Sequence, residues 1–113
     1  MSDLEARAEE RARELVERCT ARGVTVATAE SCTAGMVAST IADIPGASSV
    51  LRGGAVTYVD EVKHELLGVA TETLERFTAV SDACAAEMAQ GACERFKVSC
   101  AVSTTGYAGP DGG

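Results

Sequence analysis

Residues 24–44, Val24-Thr25-Val26-Ala27-Thr28-Ala29-Glu30-Ser31-Cys32-Thr33-Ala34-Gly35-Met36-Val37-Ala38-Ser39-Thr40-Ile41-Ala42-Asp43-Ile44, decide the fold. The first six residues are short, β-branched and alternating, which predicts a strand over 24–29. Residues 30–35 are small and polar, as a tight turn requires. The apolar run that follows predicts a helix over 36–44, ended by Pro45-Gly46. A strand that passes through a tight turn into a helix is the repeating unit of α/β proteins.

The pattern continues on both sides. Ser2-x-x-Glu5 is a capping box opening a helix that runs to about Arg22, with Leu4, Ala8, Leu15 and Val16 or Cys19 at helical spacing. Gly23 is its natural stop. Downstream, the loop 46–49 and the pair Gly53-Gly54 precede a strand expected over 55–59. A short helix is expected over 61–67, closed by Gly68, and another over 71–77, capped by Thr71. Ser81 caps a long helix to about Phe96, with Ala85, Met88, Ala92 and Phe96 along one face. Residues 98–103 predict a strand, and 104–113 a turn-rich loop. Helices alternating with strands indicate a layered α/β domain.

Composition narrows the function classes. The chain has 113 residues, 17 acidic against 10 basic side chains and one His, for a net charge of −7, and is 46% hydrophobic. One domain is expected at this length. The excess negative charge argues against nucleic acid or an anionic membrane as partner, because both present phosphates. No apolar run reaches 18 residues and the N-terminus is charged, so a cytoplasmic protein with no membrane partner is expected. The five cysteines are odd in number and lack a repeated short spacing, which argues against a disulfide framework. His64 stands alone, so no metal site is expected. Cys84, Cys93 and Cys100 are expected to act as small buried hydrophobes.

Three stretches carry possible chemistry. The turn Glu30–Gly35 exposes side chains at a strand's carboxyl end and points helix N–H groups above it. Ser31 there is either a nucleophile with those N–H groups as oxyanion hole, or, like Thr33, simply the helix cap. In the second stretch, Thr57-Tyr58-Val59-Asp60-Glu61-Val62-Lys63, Lys63 is either a desolvated base of the kind found in Ser–Lys hydrolases or a solvated surface lysine. The third, Thr104–Gly113, is either a glycine nest for an anion or a plain surface turn. It is neither a Walker loop nor a dinucleotide fingerprint.

Taken together, Glu30-Ser31-Cys32-Thr33-Ala34-Gly35, Ile44-Pro45-Gly46-Ala47-Ser48, Arg52-Gly53-Gly54-Ala55-Val56-Thr57-Tyr58 with Lys63, Leu67-Gly68-Val69 and Thr105-Gly106-Tyr107-Ala108-Gly109-Pro110-Asp111-Gly112-Gly113 resemble the CinA C-terminal domain family, whose members include nicotinamide-nucleotide amidohydrolases (NMN deamidases). The resemblance runs in order from about Arg11 to the last residue. It implies a three-layer α/β/α sandwich with a mixed sheet, and a single domain over 1–113 that is incomplete at its C-terminus. The implied reaction is hydrolysis of the carboxamide of nicotinamide mononucleotide to nicotinic acid mononucleotide and ammonia. The family's nucleophile falls on Ser31, its lysine base on Lys63 and its active-site tyrosine on Tyr58. Its substrate contacts fall on Thr33, Gly35, Ser48, Thr105, Gly106 and Gly109. No metal or organic cofactor is implied; a small nucleotide ligand and a homo-oligomer are. Two rivals stand beside this reading: a catalytically silent nucleotide- or phosphate-binding module of the same fold, and an inert fragment. The sequence departs from the family pattern at Ala34, where a second glycine is usual, and at Tyr107 and Asp111.

Overall fold

The computed structural model describes residues 2–107. Helix α1 (Asp3–Arg22) opens on the expected capping box, with Ser2 Oγ accepting from Glu5 N–H and the Glu5 carboxylate accepting from Ser2 N–H. It closes at Gly23, whose φ of 67° is a left-handed conformation that glycine adopts without steric cost. Strand β1 (Val26–Glu30) is buried along its whole length. Then follow α2 (Met36–Ala42), a single 3-10 turn (Ala47–Ser49), β2 (Leu51–Val56), α3 (Asp60–Leu67), α4 (Thr71–Phe77), α5 (Asp82–Phe96) and β3 (Cys100–Thr104).

The three strands lie in the order β2-β1-β3, and both pairings are parallel. The layered α/β architecture agrees with the one that the resemblance implies, and the strands among the described residues are all parallel. Each of these strands is reached through helices, and a helical crossover returns the chain in the same direction, whereas an antiparallel neighbour follows a hairpin. Among the described residues no such hairpin occurs.

Strand alternation sorts the core into two layers. Val26 joins Ala12, Val16, Cys19, Ile41, Ile44, Ala47 and Val50 on the side of α1 and α2. Ala27 and Ala29 face the other side, with Ala55, Leu67, Val69, Cys84, Met88, Ala92 and Val98. From β1 the chain steps to one neighbour through α2, and from β2 it crosses back to the other through α3–α5. Crossovers of one hand in opposite directions must use opposite faces, which gives the three layers.

Two local expectations are corrected. Strand β2 begins at Leu51 and runs through Gly53-Gly54, which the sequence places in a loop. A Cβ on Gly53 would sit 3.0 Å from the Phe96 ring, and one on Gly54 2.2 Å from Thr28 Oγ1, so the glycines are strand residues that make room for neighbours. Helix α4 is capped not by Thr71 but by Glu87, whose carboxylate accepts from Ala70 N–H at 2.8 Å and Thr73 Oγ1 at 2.5 Å. The Glu87 pKa is lowered, mainly by the Ala70 bond and then by Thr73. Of the three cysteines expected inside, Cys84 is fully buried, Cys93 partly, and Cys100 is exposed.

Candidate active site

In open parallel sheets ligands bind beyond the carboxyl ends of the strands, where the connections diverge to opposite faces. Here the connection leaving β1 goes to the α2 face and the one leaving β2 to the α3–α5 face, at the sheet end that carries the Ser31 turn. The Ser31 turn leaves β1 toward α2, and Thr105-Gly106 leaves β3 beside it. Ser31 N–H donates to Thr104 O at 3.0 Å, and Thr57 N–H donates to Glu30 O at 2.8 Å. The ladders thus run one step past the strands and place Ser31 between Thr57 and Thr105.

Glu30 and Ser31 diverge because adjacent strand residues face opposite sides. Glu30 turns to the α2 layer and is 1% exposed. Its Oε1 accepts from Thr33 Oγ1 at 2.6 Å, Gly35 N–H at 3.1 Å and Val37 N–H at 2.9 Å, and its Oε2 from Ala38 N–H at 2.9 Å. Burial alone would raise this carboxyl's pKa. The bonds from Thr33, Ala38, Val37 and Gly35 together outweigh it, and the net shift is downward. Sequence inspection misses this role, because an N-cap is sought immediately before the helix and Glu30 lies six residues ahead of it.

The consequence for the oxyanion hole is a correction. The first-turn N–H groups of α2 are spent on Glu30, and Met36 N–H donates to Thr33 O. The backbone N–H groups of Cys32 and Thr33 are the ones in the turn without a partner among the described residues. Nor does Ser31 or Thr33 cap α2. Thr33 Oγ1 lies 2.7 Å from Thr104 Oγ1 in addition to its Glu30 bond, which fastens the turn to β3. The Thr33 hydroxyl and the Gly35 N–H are both engaged within the turn. Gly35 has φ 104°, and Ala34 holds φ 51°.

Ser31 follows the parity of Ala27 and Ala29, toward α3 and α5, and is 6% exposed. Its Oγ has no hydrogen-bond partner among the described residues. Lys63 lies on the same side. It is 1% exposed, and its Nζ donates to Thr57 O at 2.8 Å. Close by, burial pushes the Cys84 thiol upward, the Lys63 charge pulls it partly back, and Asp60 and Glu87 push it further up. The surface-lysine alternative therefore does not hold.

The remaining positions separate. Tyr58 follows Thr57 at the same sheet end, with its side chain exposed. Thr105 Oγ1 donates to Ala79 O at 2.7 Å. Gly106 sits against Cys32, whose Sγ would be 3.4 Å from a Cβ there. Ser48 is not brought to this end. It is exposed in the 3-10 turn that enters β2, beside Leu51, which pairs with Val26 at the amino end of the sheet. Five residues of strand, about 15 Å, separate it from Ser31 within one chain. Gly109 and Asp111 lie outside the described residues. His64 Nδ1 is 2.8 Å from Val69 O, at the end of α3. Among the described residues no cluster of His, Cys, Asp or Glu could hold a metal ion, and no helix is long and apolar enough to cross a membrane.

Comparison with known proteins adds an independent finding. Residues 8–113 match the family model described as the CinA C-terminal domain. The chain is 54% identical over 89 residues to a CinA-like protein of Fervidobacterium nodosum, and 53% identical over 91 residues to one of Chlorobium phaeobacteroides. These alignments cover 79% and 80% of this chain but only 22% of either relative. Among solved structures, the competence/damage inducible protein CihA of Agrobacterium tumefaciens superposes with a TM-score of 0.90 at 47% identity, over 94% of this chain and 64% of that one. A CinA superfamily protein of Escherichia coli superposes with a TM-score of 0.92 at 38% identity, over 100% of this chain and 65% of that one.

Proposed function

Because the chain belongs to the CinA C-terminal domain family, we propose that it is a single domain that hydrolyses the carboxamide of nicotinamide mononucleotide through Ser31 and Lys63. The observation that carries this is the shared burial of the two side chains on one face of the sheet, at its carboxyl edge, with Lys63 Nζ tied to Thr57 O. Lys63 Nζ, held away from water, is the base: it accepts the Ser31 proton as Oγ bonds to the carboxamide carbon.

The proton then moves from Nζ to the departing nitrogen, the C–N bond breaks and ammonia leaves. Water hydrolyses the resulting ester by the same proton path in reverse. The N–H groups of Cys32 and Thr33, without a partner among the described residues and next to the nucleophile, are the candidate donors to the oxyanion. Thr33 in this scheme contributes its backbone, while its hydroxyl holds the turn. Thr105 and Gly106, which leave β3 beside the Ser31 turn, are the proposed contacts to the nucleotide.

Ammonia release from nicotinamide mononucleotide tests the proposal. Ser31→Ala and Lys63→Met are each expected to lower kcat on the order of 1,000-fold or more. Retained activity in either variant sinks the dyad. Binding of the nucleotide without turnover by the wild-type chain supports the silent module instead.

A further inference from the structure

Among the described residues, two buried side-chain polar atoms have no hydrogen-bond partner: Thr28 Oγ1 and Thr57 Oγ1. Both residues are fully buried. A hydroxyl in that state destabilises the fold, since it has lost water and gained nothing in return. The two differ in place. Thr28 lies mid-strand in β1 on the α2 side, where its Oγ1 rests over Gly54. Thr57 lies at the carboxyl end of the sheet, continuing the parity of Ala55 toward α3 and α5.

Thr57 is also fixed by its backbone. Its N–H donates to Glu30 O, the residue before Ser31, and its carbonyl accepts from Lys63 Nζ at 2.8 Å. One residue therefore links the strand that carries the serine to the side chain of the lysine. An ammonium has three N–H groups, a neutral amine two and a lone pair. Lys63 uses one N–H on Thr57 O and has no second partner among the described residues.

We propose that Thr57 is a positioning residue for the reaction: its carbonyl holds Lys63 Nζ at rest, and its spare hydroxyl accepts a second N–H bond when Lys63 has taken the Ser31 proton. The hydroxyl belongs to the residue that already anchors Nζ. After transfer, Thr57 O, Thr57 Oγ1 and Ser31 Oγ are the three acceptors for the three N–H groups. Thr57 acts through Lys63 and not on the substrate. This inference rests on the Ser31–Lys63 reading above.

The test compares Thr57→Val, which keeps the shape and removes the hydroxyl, with Thr57→Ser, which restores it, and with Thr28→Val as the control for a buried unpartnered hydroxyl. Thr57→Val and Thr28→Val are both expected to raise the thermal midpoint. Only Thr57→Val is expected to lower kcat, about tenfold, with KM unchanged, and Thr57→Ser to recover it. The chain has two lysines, Lys63 and Lys97, so labelling lysine with 15N gives two side-chain signals. With its amine protonated, the Lys63 signal is expected to move in Thr57→Val, return in Thr57→Ser and stay in place in Thr28→Val.

A Thr57→Val enzyme with kcat within about twofold of wild type and an unmoved Lys63 signal overturns the inference and leaves the dyad standing. So does failure of Thr57→Ser to rescue. Full activity in Ser31→Ala or Lys63→Met overturns the dyad itself. If the wild-type chain releases no ammonia, the lysine signal alone decides the Thr57–Lys63 contact.

Discussion

Ala34 holds φ 51° in the turn that carries Ser31, a conformation in which a Cβ crowds the following carbonyl. Replacing it by glycine removes that conflict, against which stands the greater freedom of glycine in the unfolded chain. The balance favours the folded state, and Ala34→Gly is expected to gain about 1 kcal/mol in urea denaturation. A loss of stability would mean that the methyl group packs usefully. At this scale the sequence is uneven as a guide. The turn, Ser31 and the left-handed demand at Ala34 are all legible, because each depends on near neighbours. The capping role of Glu30 and the unpartnered state of Thr57 are not. They depend on which face of the sheet a side chain takes and on what stands there.

Among the elements, the end of α3 and the middle of α5 meet backbone to backbone. A Cβ on Gly91 would lie 1.8 Å from the carbonyl oxygen of Leu67, so this helix-interior glycine is there for contact despite its poor helix propensity. Backbone cannot yield as a side chain can, and Gly91→Ala is expected to cost about 3 kcal/mol or more, read as a fall in the urea midpoint. A neutral effect would show that α3 can move away. Because α3 carries Lys63, the same variant is expected to lower ammonia release even where it remains folded. Helix ends were legible from Ser2, Gly23, Gly68 and Ser81, since caps are local. The course of β2 was not, because Gly53 and Gly54 look like loop until Phe96 and Thr28 are brought beside them. Ser48 lies far from Ser31 within the chain for a related reason: its motif is close in sequence to the Ser31 turn, but a parallel strand carries the chain from one end of the sheet to the other.

For the molecule as a whole, Glu30 ties β1, the Ser31 turn, α2 and, through Thr33, β3 into one hydrogen-bonded unit. Its folded pKa lies below the ordinary 4.5, so it stabilises the protein fully above that pH and loses its contribution as pH falls through the lowered value. Wild-type stability is accordingly expected to decline below about pH 4.5. Glu30→Gln is expected to cost about 2–3 kcal/mol at pH 7, through buried N–H groups left poorly paired, and to flatten the acid limb. Glu87, shifted the same way, leaves some slope in that variant. Parallel curves for the two proteins from pH 7 to 3 would show that Glu30 does not titrate with unfolding. Consecutive residues of β1 thus serve different layers, Glu30 one and Ser31 the other. Changes of identity along this strand can be made one face at a time. Adding or removing a single residue within it would exchange the two faces, turning the carboxylate toward Lys63 and the serine toward α2, so β1 can vary in composition but not in length.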